Sequence, residues 1–308
     1  MSDESAESDR QSHVSWIHRI KYLAYCGIIM LCNCLPQRFL YWVALRLSDL
    51  QWLCDRRGRE AVKSNLRQML PGATEDRIWY ESRWVFRNFG KYMSEFFRFR
   101  RMGPKFFERH VAFRGGENVE RALELGRGAV LVSAHLSNWE LGGAAARWHF
   151  NTPVNVVILR HTYKKADELF QRERAAQGIN CIPVERAPLH VLRHLKKNEI
   201  VCVLGDRDPS GQGVLVDFFG RKCRFPQGPA RFALTGGAPI LPCFVTRRSN
   251  DSFLAWCMPP IPIPQEGTRD EKIHAVTQAY AHEFEAMIRW HPEEWATFYR
   301  FWDEEWIQ

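Results

Sequence analysis

The chain has 308 residues, 45% of them hydrophobic and 25% charged, with a net charge of +8 and a pI near 9.1. That composition excludes a disordered or fibrous polymer and leaves room for one large domain or two small ones. A basic balance suits nucleic acid, anionic lipid headgroups or a phosphorylated substrate, and does not choose among them. The nine cysteines are odd in number, include no C-x-x-C pair and sit largely in apolar runs, so the reducing, cytosolic side of a membrane is favoured.

In chain order, residues 1–13 are polar and read as a disordered tail. Arg10, His13, His18, Arg19 and Lys21 then lead into the apolar stretch 22–35. This stretch falls short of the roughly 20 residues a spanning helix needs, and Asn33 and Pro36 interrupt it. No small-residue cleavage site follows, which argues against a signal peptide. A buried helix and a helix lying in the membrane interface both fit it. Residues 14–103 are expected to form a helical membrane-docking region, with breaks at Pro36, near Gly58 and at Pro71-Gly72. Within and after this region, Phe96-Phe97-Arg98-Phe99-Arg100-Arg101 and Lys105-Phe106-Phe107-Glu108-Arg109 interleave rings with basic groups. A membrane interface, core packing and base stacking all suit that composition, with the membrane favoured.

From Gly115 the texture changes. The pattern predicts helices over 117–125, 138–148, 162–177, 189–197, 229–235 and 270–290. Strands are expected at 129–133, 154–159, 181–184, 200–204, 240–245 and 253–257, the last two as partners. Alternation of this kind predicts an α/β core over 104–308, with a largely parallel central sheet flanked by helices. Ligands of such sheets gather at the carboxyl ends of the strands.

His135 stands at such an end, just past the strand 129–133. Ser137 and Glu140 have the spacing of a capping box, so a helix start with a loop histidine is one reading. The other is a His–carboxylate pair across a strand-to-helix turn, in which Glu140 orients the imidazole and stabilises its protonated form. No G-x-S-x-G elbow is present, so a substrate hydroxyl would be the nucleophile.

His135-x-x-Asn138-Trp139-Glu140 resembles the H-x4-[D/E] motif of glycerolipid-type acyltransferases, and its flanks are similar to the bacterial lipid A acyltransferase family, including relatives that acylate phosphatidylinositol mannosides. Further blocks follow in the family's order: Arg59-x-x-Val62-x-x-Asn65-Leu66-Arg67-x-x-x-Pro71, Asn88-Phe89-Gly90, Arg174-x-x-x-Gly178, Gly205-Asp206-Arg207-Asp208 and Val216-Asp217-Phe218-Phe219-Gly220. Gly228-Pro229-Ala230-Arg231 with Gly237-Ala238-Pro239, and His291-Pro292-Glu293-Glu294-Trp295, complete the series. A lone H-x4-E is unspecific; seven blocks in the right order are not.

The resemblance implies that His135 is the general base and Glu140 its orienter. It also implies that Asn138, Arg174, Asp206, Arg207 and Asp208 meet substrate, with an Asp206 carboxylate near His135 and an Arg174 contact to an anionic headgroup. Read without it, 208–211 is a turn and Arg174 a solvated helix residue. Asp206-Arg207-Asp208 looks closer to the mannoside-acylating relatives than to many lipid A enzymes. The implied donor is acyl carrier protein or acyl-coenzyme A, and the implied acceptor is a membrane glycolipid, foremost a lipid A-type precursor. A mannosylated or amino-acid lipid is the alternative, and a non-catalytic basic protein binding membrane or nucleic acid is the rival class. No metal or cofactor is expected, since a thioester is already activated and His190 and His194 lack a third ligand. The expected place is an anionic membrane surface, the cytosolic face of the inner membrane, without nucleic acid.

Overall fold

The computed structural model describes residues 23, 25–160, 164–208 and 210–303; the expected tail over 1–13 and the first residues of the 162–177 helix lie outside them. Residues 25–34 are helical and lead into α1 (Gln37–Cys54), α2 (Arg56–Met69) and α3 (Glu75–Phe96). Pro36 separates the first two because it lacks the N–H a continuing helix needs, and it becomes the N-cap of α1. The break expected near Gly58 falls at Asp55. Asp55 accepts from Gly58 N at 2.8 Å and caps α2, and Gly58 sits inside the first turn, where a Cβ would collide with that carboxylate. After Pro71-Gly72, Thr74 caps α3 through Arg77 N. Among the described residues no helix is long and apolar enough to cross a membrane.

The α/β part begins with α4 (Pro104–His110) and an edge strand β1 (Val111–Arg114) that the sequence pattern did not announce. It continues with α5 (Gly116–Glu124), β2 (Ala129–Ser133), α6 (Trp139–His149), β3 (Val154–Ile158), α7 (Lys164–Ala175), β4 (Ile179–Pro183), α8 (Ala187–Leu195) and β5 (Ile200–Leu204). A hairpin of β6 (Val214–Phe218) and β7 (Arg221–Phe225) follows, then α9 (Gly228–Gly236), β8 (Ile240–Arg247), β9 (Phe253–Cys257) and α10 (Arg269–Trp290). The main sheet has seven strands in the order β1-β9-β8-β2-β5-β3-β4. Every neighbouring pair is parallel except β8 and β9, the pair expected to be partners. Helices cover it, as the unbroken apolar runs of β2 and β5 require for strands buried on both faces.

The rings of the aromatic-basic segment are core, not membrane surface. Phe96, Phe97, Phe99 and Phe107 are all at most 5% exposed and pack with Leu40, Leu141 and Phe253, between the helical region and the sheet. Their arginines turn outward: Arg100 pairs with Glu173 at 2.8 Å, and Arg98 donates to Leu35 O. Interleaved rings and charges are what a helix end needs when one side packs and the other meets water, so composition alone could not separate the two readings.

Candidate functional site

β2 and β5 lie side by side at the centre of the sheet, in parallel register with Ser133 opposite Leu204. Two residues beyond each partner come His135 and Asp206, so the register itself brings them to one rung. The ladder runs on into the loops, with Gly205 N donating to Ser133 O at 2.7 Å. Gly205 has no room for a side chain, because a Cβ would stand 2.9 Å from Val132 Cγ2 and 3.3 Å from Tyr280.

Asp206 is fully buried and its carboxylate takes three hydrogen bonds. His135 Nδ1 meets Oδ1 at 2.7 Å, while His135 N and Trp295 Nε1 each donate to Oδ2 at 3.0 Å. Burial alone would push this carboxyl up; the His135 ring, Arg207 and the Trp295 N–H outweigh it and hold the carboxyl well below its usual range. An ionised carboxylate can only accept, so Nδ1 carries the ring proton and Nε2 carries the lone pair. Nε2 has no hydrogen-bond partner among the described residues, and the ring lines a cavity. The ring thus presents a free basic nitrogen, and its protonated form would have a buried counter-charge.

Glu140, expected to orient His135, is engaged elsewhere. It lies in the first turn of α6, and both its oxygens are taken by Arg174 of α7, at 2.9 Å from Nε to Oε2 and 2.6 Å from Nη2 to Oε1. Four residues of loop and helix start turn its side chain toward α7, whereas the neighbouring strand end delivers Asp206 to the ring. Arg174 is accordingly a buried ion-pair partner, not a solvated residue: its side chain is 12% exposed against 8% for Glu140. Burial opposes its charge, but Glu140 more than offsets that and raises its pKa.

The capping box is absent as well. Ser137 has a left-handed φ of 53°, and Asn138 is the N-cap of α6, its Oδ1 accepting from Leu141 N at 2.9 Å. Asn138 Nδ2 donates to Glu95 Oε2 at 2.7 Å, and with 1% exposure this side chain is a structural brace. Glu95 is nearly as buried. It binds Arg247 of β8 through Nη1 and Nη2 at 2.6 and 2.9 Å and accepts from Tyr41, tying α3, α1 and the sheet to the start of α6. No motif or period in the sequence marked Glu95.

Arg207 and Asp208 separate. Arg207 lines the cavity, donates through Nη2 to Ala296 O and lies over the Tyr299 ring at 5.6 Å. Asp208 closes its own turn, accepting from Ser210 N at 3.0 Å, from Ser210 Oγ at 2.5 Å and from Gly213 N. Of the helical pair weighed for metal, His194 is spent on Glu199 at 2.6 Å.

The cavity at His135 has a volume of about 520 Å³ and runs between α6 and the sheet face. Gly142, Gly143 and Ala146 open the helix side, and Leu131, Val156 and Cys202 form part of the floor. Phe150 and Phe113 stand at the far end, three helical turns from the His135 mouth. Small residues on α6 keep the helix from filling this space; at Gly142 a Cβ would come 2.9 Å from Val245 Cγ2. A long apolar slot ending at a free imidazole nitrogen fits an acyl chain whose carbonyl stops at the base.

Comparison with known proteins gives the family. The family described as Bacterial lipid A biosynthesis acyltransferase matches residues 8–304. A phosphatidylinositol mannoside acyltransferase of Mycobacterium tuberculosis (strain CDC 1551 / Oshkosh) is 32% identical over 252 residues, which cover 77% of this chain and 75% of that one. A protein of the same name from Mycolicibacterium smegmatis (strain ATCC 700084 / mc(2)155) is 29% identical over 245 residues, covering 77% of each chain.

Proposed function

Because the chain belongs to the bacterial lipid A biosynthesis acyltransferase family, we propose that it transfers a fatty acyl group from a thioester to a hydroxyl of a mannosylated membrane glycolipid, with His135 as general base. The thioester is that of acyl carrier protein or coenzyme A. The observation that carries this reading is the His135–Asp206 pair at the mouth of an apolar slot. His135 Nε2 takes the acceptor's hydroxyl proton as its oxygen adds to the thioester carbonyl. The tetrahedral intermediate then collapses to the ester, and the departing thiolate takes the proton back from the imidazolium. Asp206 balances the imidazolium charge in between and holds the tautomer that makes Nε2 the acceptor.

The names of the relatives and the Asp206-Arg207-Asp208 block support a mannosylated acceptor over the lipid A-type precursor that the family description suggests. Incubating the purified protein with an acyl thioester and each lipid in turn tests this. The expected product is mannosylated lipid heavier by one acyl group. Acylation of the lipid A precursor alone would move the acceptor, and acylation of neither would remove the reading.

The slot sets a second expectation. Ala146→Phe places a ring midway along it, so kcat/KM for a long-chain thioester should fall at least tenfold more than for a short-chain one. Equal losses for both chain lengths would put the acyl chain elsewhere.

A lipid acceptor stays in its bilayer, so the protein must dock there. The support comes from α1, not from the aromatic-basic segment. Leu40, Ala44, Ser48 and Trp52 bury its inner face, while Phe39, Trp42, Leu47, Leu50 and Leu53 on the outer face are 47% to 62% exposed. An exposed apolar face opposite a packed one calls for a second apolar neighbour. Arg38, Arg46, Arg56 and Arg57 are exposed beside this face and suit anionic headgroups. Each large ring or leucine buried at the interface contributes about 2 kcal/mol. The pair Trp42→Glu and Leu50→Glu should therefore abolish sedimentation with anionic vesicles while sparing turnover of detergent-dispersed acceptor. Undiminished vesicle binding would place the docking face elsewhere.

A further inference from the structure

We propose that Trp295 is a positioning residue of the acyl-transfer site: its indole N–H fixes the Asp206 carboxylate so that one oxygen is reserved for the His135 ring. This inference rests on the reading of His135 as general base. Trp295 lies 89 positions from Asp206, at the end of the block 291–295, and is 2% exposed.

The segment after α10 runs antiparallel to the loop that carries His135. Leu136 and Trp295 form an isolated β-bridge, Ser137 N donates to Glu294 O at 2.8 Å, and Ala296 N donates to His135 O at 2.9 Å. The loop and the tryptophan are thus held as one unit. From that place the indole N–H reaches Asp206 Oδ2, the oxygen that also accepts from His135 N. Two donors on Oδ2 hold the carboxylate plane, and Oδ1 is left with a single partner, Nδ1 of the ring. The arrangement also shares out the charge. Two N–H groups draw density onto Oδ2, and together with the His135 ring and nearby Arg207 they keep the carboxylate ionised against its burial.

A purely packing role is the competing account, since Trp295 packs edge-on or tilted among Phe218, Phe301 and Trp302 with ring centroids 4.9 to 6.0 Å away. Trp302 separates the two. It occupies the same aromatic cluster, is 3% exposed, and spends its indole N–H on Phe218 O at 3.2 Å, away from Asp206. Trp295→Phe removes a donor to a carboxylate and should lower kcat about ten- to a hundredfold, with KM for the thioester nearly unchanged. The sign of the pH effect follows from the charge. Without the N–H, more negative charge falls on the oxygen facing the ring, the imidazolium is favoured, and the acidic limb of kcat/KM moves to higher pH. Trp302→Phe should cost stability alone and leave that limb in place.

The experiment is a pH profile of kcat and kcat/KM for wild type, Trp295→Phe and Trp302→Phe, with thermal melts of each. It is joined by a titration of the wild-type indole resonances labelled with nitrogen-15. A limb that moves in Trp295→Phe only, together with a Trp295 N–H resonance that shifts through the same limb, is the expected result. If Trp295→Phe behaves like Trp302→Phe, or its N–H resonance does not respond across the limb, the proposal falls. The resonance is read on the wild type, so it decides the matter even if the variant does not fold. His135→Ala, run alongside, tells the failures apart: an inactive His135→Ala with an unmoved limb in Trp295→Phe removes Trp295 alone, whereas an active His135→Ala removes the base itself.

Discussion

Replacing Asp206 with asparagine is expected to lower kcat on the order of 10³- to 10⁴-fold while leaving the fold in place. The reason lies in the donors around the carboxylate. Two N–H groups, from His135 and Trp295, converge on Oδ2, so an amide at this position must turn its carbonyl oxygen to them. Its NH2 group then faces Nδ1, where a donor now meets the nitrogen that had been donating. The ring answers by moving its proton to Nε2, and the nitrogen that should accept the substrate's proton no longer can. His135→Ala removes the same base directly and should cost roughly 10² to 10⁴ in turnover. It leaves Asp206 two of its three donors, so its melting temperature should fall little. Steady-state kinetics beside thermal melts check both variants. A folded Asp206→Asn enzyme within a factor of ten of wild type would show that the tautomer is not set by this contact, and the mechanism would need another base.

Strand ends were readable where the chain's local chemistry is decisive. Ala129–Ser133 and Ile200–Leu204 are unbroken apolar runs, and His135 and Asp206 follow each at the same offset. What the sequence does not carry is register: that Ser133 stands opposite Leu204 is decided by packing across 71 positions, and only register pairs Asp206 with the ring. Glu140 looked like the partner because spacing along the chain is visible and proximity across the sheet is not. The same limit hid Glu95 and Trp295, whose partners lie tens of residues away. The hairpin was missed for another reason. Val214–Phe218 alternates in burial as a strand should, and Phe219 and Gly220 both have the positive φ of a tight two-residue turn. A phenylalanine at such a φ is unusual, however, so the residue type at 219 gives no turn signal. Phe96 to Phe107 shows that rings beside charges suit a buried helix end as well as a bilayer. In α1 the better signal was already present: apolar residues on every face, a pattern that calls for a neighbour on each side.

Removing Arg174 should damage stability far more than substrate binding. Its guanidinium and the Glu140 carboxylate form a two-pronged pair that is almost closed to solvent. Such a pair contributes little net energy against an apolar substitute, but breaking it leaves one charge buried and uncompensated, at a cost of about 3–5 kcal/mol. For a chain of this size that corresponds to a melting temperature lower on the order of 10 °C. Arg174→Ala strands a carboxylate, which can take up a proton and soften the loss. Glu140→Gln strands a guanidinium, which cannot, so it should be the worse of the two despite being the smaller change in shape. Replacing both, as Glu140→Gln with Arg174→Met, should recover more than half of the loss, and that non-additivity is the signature of direct pairing. The loss of turnover in the single variants should track the unfolded fraction, with KM for the thioester and the lipid moved little. An Arg174→Ala protein with a native melting temperature and a KM raised tenfold or more would reverse this assignment. The guanidinium would then have to leave Glu140 for an anionic group of the substrate during turnover, as the family resemblance first suggested.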